Sequence, residues 1–144
     1  MPLEGEHKPG TWQWANDHVA RIEGSGGTEG LDLNGMPVVV LWTRGRKTGA
    51  IRKGPVMKVQ HGDRYAVVAS KGGDPKHPDW YLNLVADPHV TLQDGPEVRD
   101  YVARTVEGEE RAEWWARAVE AYPPYEEYQT KTDRQIPVVV LDPV

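Results

Sequence analysis

The chain has 144 residues, no cysteine and a formal net charge of −5. That length supports one domain around a single buried core, and the lack of cysteine excludes disulfides, thiolate metal ligands and cysteine nucleophiles together. The acidic total argues against a broad basic face for nucleic acid, and no stretch reaches the roughly 18 apolar residues of a membrane span.

His7, His18, His61, His77 and His89 form no i, i+4 pair with a neighbouring carboxylate, so no metal is expected. The acidic start, Met1–Glu6, has no apolar run of a secretory signal, and a cytoplasmic protein is the expectation.

Along the chain, Trp12, Ala15, Val19 and Ile22 recur at the spacing of an amphipathic helix over 10–23. The glycine-rich run 23–30 follows and reads as a flexible linker, giving an N-terminal piece, 1–34, ahead of a main domain, 35–144. The helix has three candidate docking places: the main domain, a second copy of the chain, or a membrane surface. Strands are expected over 37–43, 56–61 and 65–70, the last two joined by a hairpin at 61–64. A short helix over 78–86 would put Lys76, Trp80, Asn83 and Asp87 on one face, with Tyr81, Leu84 and Val85 toward the core. A second hairpin joins 89–93 to 97–105. A helix over 109–122 would bury Ala112, Trp115, Val119 and Tyr122, and Pro123–Pro124 breaks it before Tyr125 and Tyr128. The strand 136–141 ends the pattern. Hairpin-paired strands with few helices predict an α+β chain, mainly β, whose antiparallel sheet curls or closes.

Charge is segregated along this pattern. Residues 35–62 hold six cations (Arg44, Arg46, Lys47, Arg52, Lys53, Lys58) and no acid, leaving −11 for the rest to bring the total to −5. Concentrated like charge repels itself and suits an anionic partner. Gly45-Arg46-Lys47-Thr48-Gly49 is no P-loop, because Lys-Thr precedes the second glycine. Gly72-Gly73 lacks the third glycine of a dinucleotide fingerprint. Phosphate would therefore be met by cationic side chains and loop amides, including Ser70-Lys71-Gly72-Gly73 after a strand. No Ser-His-Asp set or paired carboxylates stand out, which suggests that a cofactor supplies the chemistry.

Gly45–Gly49 with Arg52 and Pro55, Ala69–Gly73, Pro78–Leu84, Glu109–Ala112, Tyr122–Tyr128, Thr132-Asp133-Arg134 and Ile136-Pro137 together resemble the deazaflavin-dependent nitroreductase family, from about Gly35 to the C-terminus. The resemblance implies a split β-barrel of the FMN-binding type with flanking helices. It also implies coenzyme F420, whose phosphate and poly-glutamate tail form a polyanion, and hydride transfer to a quinone, nitroaromatic or other conjugated acceptor. Carried over by position, Lys47, Arg52, Ser70, Lys71, Gly73, Lys76, Pro78, Trp80 and Asn83 would bind the cofactor. Met57, Tyr122, Tyr125 and Tyr128 would line the acceptor side, with Tyr125, Tyr128 and Ser70 as proton donors. Met57 departs from relatives that carry Tyr there. An F420-reducing dehydrogenase would be met by diffusion, and a homodimer is a further expectation. The competing readings are an FMN enzyme on the same barrel, a non-catalytic F420 carrier, and an adaptor for nucleic acid or acidic protein.

Overall fold

The computed structural model describes residues 3, 5, 7, 13–33 and 35–144. After β1 (Asp32–Leu33), the β-branched run Val38-Val39-Val40 forms the centre of β2 (Met36–Arg44). β2 pairs antiparallel with β3 (Ile51–Met57) across the basic turn. Lys58 alone separates β3 from β4 (Val59–His61), which pairs with β5 (Arg64–Val68). One ribbon thus joins β2 through its first half and β5 through its second. From the other side of β2 the sheet runs through β6 (His89–Asp94), β7 (Glu97–Thr105) and β8 (Val138–Pro143) back to β5. All pairings between these strands are antiparallel, and the sheet closes on itself as a split barrel with helices on its flanks.

The period-2 alternation of the strands builds two cores. Val138 and Val140 pack with Val38, Ala66 and Val68 beneath α3 (Gly108–Ala121) and α4 (Pro124–Thr130). Val139 and Leu141 pack with Val39, Leu41, Val67, Val90 and Leu92, where Leu84 of α2 (Asp79–Ala86) joins them.

Several local expectations shift. The strand expected from Val56 begins at Ile51, so Arg52 and Lys53 belong to β3 and not to the turn. Pro55 is tolerated because β3 is paired on one side only along this stretch. Val85 is 60% exposed. Leu84 takes the inward direction, and the next residue of a helix points about 100° away. On α3 the fully buried pair is Trp114 and Ala118, while Trp115, Val119 and Tyr122 flank it half-buried and Ala112 is exposed. Ala112 and its spacing partners mark the edge of the buried stripe, one residue off its centre.

Helix α1 (Gln13–Gly24) buries Val19 and Ile22 against Val40; Trp12 lies outside the described residues. Among the described residues no helix is long and apolar enough to cross a membrane. The glycine-rich run has fixed contacts and is no loose tether. The Ser25 hydroxyl donates to the Ile22 carbonyl and accepts from the Thr28 and Glu29 N–H groups. The His18 Nε2 donates to the Gly30 carbonyl at 2.6 Å.

Gly27 adopts φ +84, and a Cβ there would lie 2.1 Å from the Gly95 carbonyl oxygen. Gly62 has φ +65 with nothing within 4 Å of such a Cβ. Both substitutions to Ala bear backbone strain, but only Gly27→Ala adds a backbone clash between the α1 turn and the β6–β7 turn. Urea unfolding should show Gly27→Ala losing at least about 1 kcal/mol more than Gly62→Ala. Equal losses would mean the turn is not seated there.

Candidate functional site

A cleft of about 590 Å3 opens where β2, β3, the loop after β5, α2 and α4 meet, with α1 along one edge. One part of its wall is cationic: Arg46, Lys47, Arg52, Lys53 and Lys71. Another is apolar and aromatic, formed by Val38, Leu41, Val56, Met57, Val68 and Trp80. Tyr122, Tyr125 and Tyr128 complete it. Of the residues expected from sequence, the cleft brings together Lys47, Arg52, Met57, Ser70, Lys71, Pro78, Trp80, Asn83 and the three tyrosines.

Gly73 and Lys76 stand off this wall. Gly73 has φ +85, and a Cβ there would meet the Tyr128 carbonyl oxygen at 2.8 Å, so its role in the structure is to let α4 lie against the loop. Lys76 is exposed ahead of α2, its backbone N–H donating to Asp74 Oδ1 at 2.8 Å. Sequence reasoning missed the contribution of α1: Trp14, Asn16 and His18 line the cleft, and Trp14 is 53% exposed. The apolar stripe of α1 predicted docking, but nothing in its polar face said where.

The cations divide by their partners. Lys53 Nζ lies 2.6 Å from Glu23 Oε2 and 4.0 Å from the centre of the Trp42 ring, fastening α1 to β3. Lys58 pairs with Asp94 at 3.0 Å, and Arg46 with Asp79 at 3.5 Å. Lys47 and Lys71, among the described residues, make no hydrogen bond or ion pair with their ammonium groups. Asn83 organises this end. Its Oδ1 accepts from the Arg46 backbone N–H at 3.2 Å and from Arg46 Nη1 at 2.9 Å, and its Nδ2 donates to Thr43 Oγ1 at 3.3 Å. At 4% exposure its amide is committed to holding the basic turn on α2.

The tyrosines form one cluster. The Tyr122 and Tyr128 hydroxyls are 3.0 Å apart, and the Tyr122 and Tyr125 ring centres are 4.8 Å apart, edge to face. The hydrogen bond to Tyr128, together with burial, pushes the Tyr122 phenol up to about 12. Burial first, and then the other two phenols, push Tyr125 well above the ordinary tyrosine range. Tyr125 is 4% exposed, and its hydroxyl has no hydrogen bond to another described residue. Both phenols therefore stay protonated through the physiological range.

The donor set fits F420: cationic side chains for a phosphorylated, polyanionic tail beside an apolar and aromatic wall. A family profile described as F420H2-dependent quinone reductase matches residues 14–143. An F420H2-dependent quinone reductase of Mycobacterium tuberculosis is 39% identical over 128 residues, covering 86% of each chain. Among solved structures, an F420H2-dependent reductase is similar at 58% identity and a TM-score of 0.70, covering 74% of this chain and 94% of that one. A domain-swapped dimer is similar at 52% identity and 0.73, covering 90% and 97%. A heme storage protein of Vibrio cholerae, at 21% identity and 0.56, shares the fold alone. The chain belongs to the F420H2-dependent quinone reductase family, and the profile extends the likeness into α1, upstream of where the sequence motifs begin.

Asn83→Leu keeps the side chain's size and removes its bonds to Arg46 and Thr43. Urea unfolding should show a loss of about 1–3 kcal/mol from the unsatisfied buried groups. A loss below about 0.5 kcal/mol would mean the amide does not organise the turn.

Proposed function

We propose that this protein is an F420H2-dependent oxidoreductase that reduces a quinone to the hydroquinone, with Lys47, Arg52 and Lys71 holding the anionic part of the cofactor. The observation that carries this reading is the joining of a cationic wall to a protonated tyrosine cluster in one cleft. Family membership supports it. Nitroaromatic and other conjugated acceptors share the electronic demand of a quinone and fall within the proposal. A homodimer belongs to it too, supported by the 52%-identical structure described as a domain-swapped dimer.

Reduced F420, when bound, supplies the hydride. The chain's own part is binding, orientation and proton supply. Lys47 and Lys71 have no hydrogen bond or ion pair from their ammonium groups among the described residues, so pairing with phosphate or carboxylate breaks no contact seen there. Trp80, Met57 and Val38 offer flat apolar surface that excludes water from the reacting faces. A quinone that takes up a hydride still needs one proton on an oxygen. Tyr125 Oη, protonated and without a hydrogen bond to another described residue, can donate that proton without giving up an internal bond. Tyr122 and Tyr128 already hold each other, and we assign them the shape of the acceptor side. Ser70 and Tyr128 are the alternative donors.

Two outcomes follow. Lys47→Ala and Arg52→Ala should each weaken F420 about tenfold in a fluorescence titration at low salt, the scale of one charge-assisted contact, with FMN binding much weaker in every variant. Tyr125→Phe should lower turnover at least about a hundredfold, as loss of a general acid does, while F420 affinity stays within about threefold. Affinity and turnover falling together would remove Tyr125 from the acceptor side.

A further inference from the structure

The loop after β5 holds a conformation that it does not favour alone. Lys71 sits at φ 46, the left-handed region that side chains avoid, and the 3-10 turn Lys71–Gly73 has no side-chain cap. Its carbonyls converge instead on Arg134. Arg134 Nε donates to the Asp74 carbonyl at 2.9 Å, Nη1 to that of Ala69 at 3.0 Å, and Nη2 to that of Ser70 at 2.9 Å. Nη1 also lies 3.2 Å from His77 Nδ1. A guanidinium only donates, so Nδ1 accepts and the imidazole is neutral with its proton on Nε2. Arg134 is anchored in turn to α4, since its own carbonyl accepts from Gln129 Nε2 at 2.8 Å. One side chain thus registers the loop that carries Ser70 and Lys71 against the helix that carries Tyr125 and Tyr128.

We propose that Arg134 is the positioning residue that holds Ser70 and Lys71 on the cleft wall, and that His77 makes its grip depend on pH. Protonation at Nδ1 would replace an acceptor by a donor, 3.2 Å from a permanent cation. The groups facing His77 are Arg134 and the ring of Tyr81, whose centre is 4.9 Å away, while the Asp74 charge acts on Arg134. Burial, and then Arg134, hold the imidazole below its ordinary value of 6.5. The native state therefore favours the neutral ring: the clamp is complete above pH 6.5 and is lost as pH falls through the lowered folded value. Only the consequence for cofactor affinity rests on the F420 reading; the rigidity of the loop does not.

Amide hydrogen exchange on the ligand-free full chain tests this, corrected for intrinsic rates, at pH 7.5 and pH 5. Arg134→Lys keeps the charge but cannot reach three carbonyls at once, and should speed exchange across residues 69–77 about tenfold, with β8 unchanged. The wild type should loosen in the same segment at pH 5, and His77→Gln, which does not titrate, should behave alike at both values. Loop protection unchanged in Arg134→Lys, acceleration spread evenly over the barrel, or a wild-type loop indifferent to pH would each overturn the proposal. If Arg134→Lys fails to fold, the wild-type and His77→Gln pH profiles decide. A parallel F420 titration should show affinity falling about tenfold in Arg134→Lys. A loosened loop with unchanged F420 affinity would support the clamp and count against the cofactor reading of this loop.

Discussion

The site depends on one pairing: the ribbon β3–β4, interrupted only at Lys58, joins β2 at one end and β5 at the other. That closure brings the basic turn after β2 and the loop after β5 to the same opening, although 20 or more residues separate them in sequence. α4 lies against the loop after β5 because Gly73 leaves room for the Tyr128 carbonyl. Cations and phenols, placed far apart along the chain, then share one wall. Without closure the same residues would decorate unrelated loops.

Around the opening, polar side chains hold backbone in place and leave other groups to meet ligand. Asn83 fixes the Arg46 end of the turn, and Arg134 gathers three carbonyls of the Ala69–Asp74 segment. Lys53 ties α1 to β3, so the helix forms part of the cleft edge. A cleft whose walls are tied in this way can present charge without reorganising when an anion arrives, the condition under which preorganised electrostatics are effective.

The charge cluster shows both the reach and the limit of the sequence. Six cations without an acid pointed to an anion site, and the structure does put Arg46, Lys47, Arg52 and Lys53 on one cleft. Yet Arg46, Lys53 and Lys58 are paired with Asp79, Glu23 and Asp94, all outside the cluster in sequence. A linear charge count cannot see partners supplied by the fold, and so overstated the charge available to a ligand. The strands with β-branched runs were legible because both their faces are buried. β3 was not, because Gly54-Pro55 reads as a break, although an edge position absorbs it. The diproline marked a break before Tyr125 and Tyr128, and the family resemblance grouped them with Tyr122 on the acceptor side. The roles of Asn83 and Arg134 were not, since each depends on carbonyls or side chains more than 35 residues away.

If the cleft works as proposed, it passes a hydride from F420H2 to a quinone. Anaerobic single-turnover mixing of the F420H2-loaded protein with a soluble benzoquinone analogue tests it most directly. Oxidised F420 absorbance should return as hydroquinone forms, one for one, faster than without protein. Cofactor that remains reduced in the presence of quinone, or that reoxidises without forming hydroquinone, would contradict it.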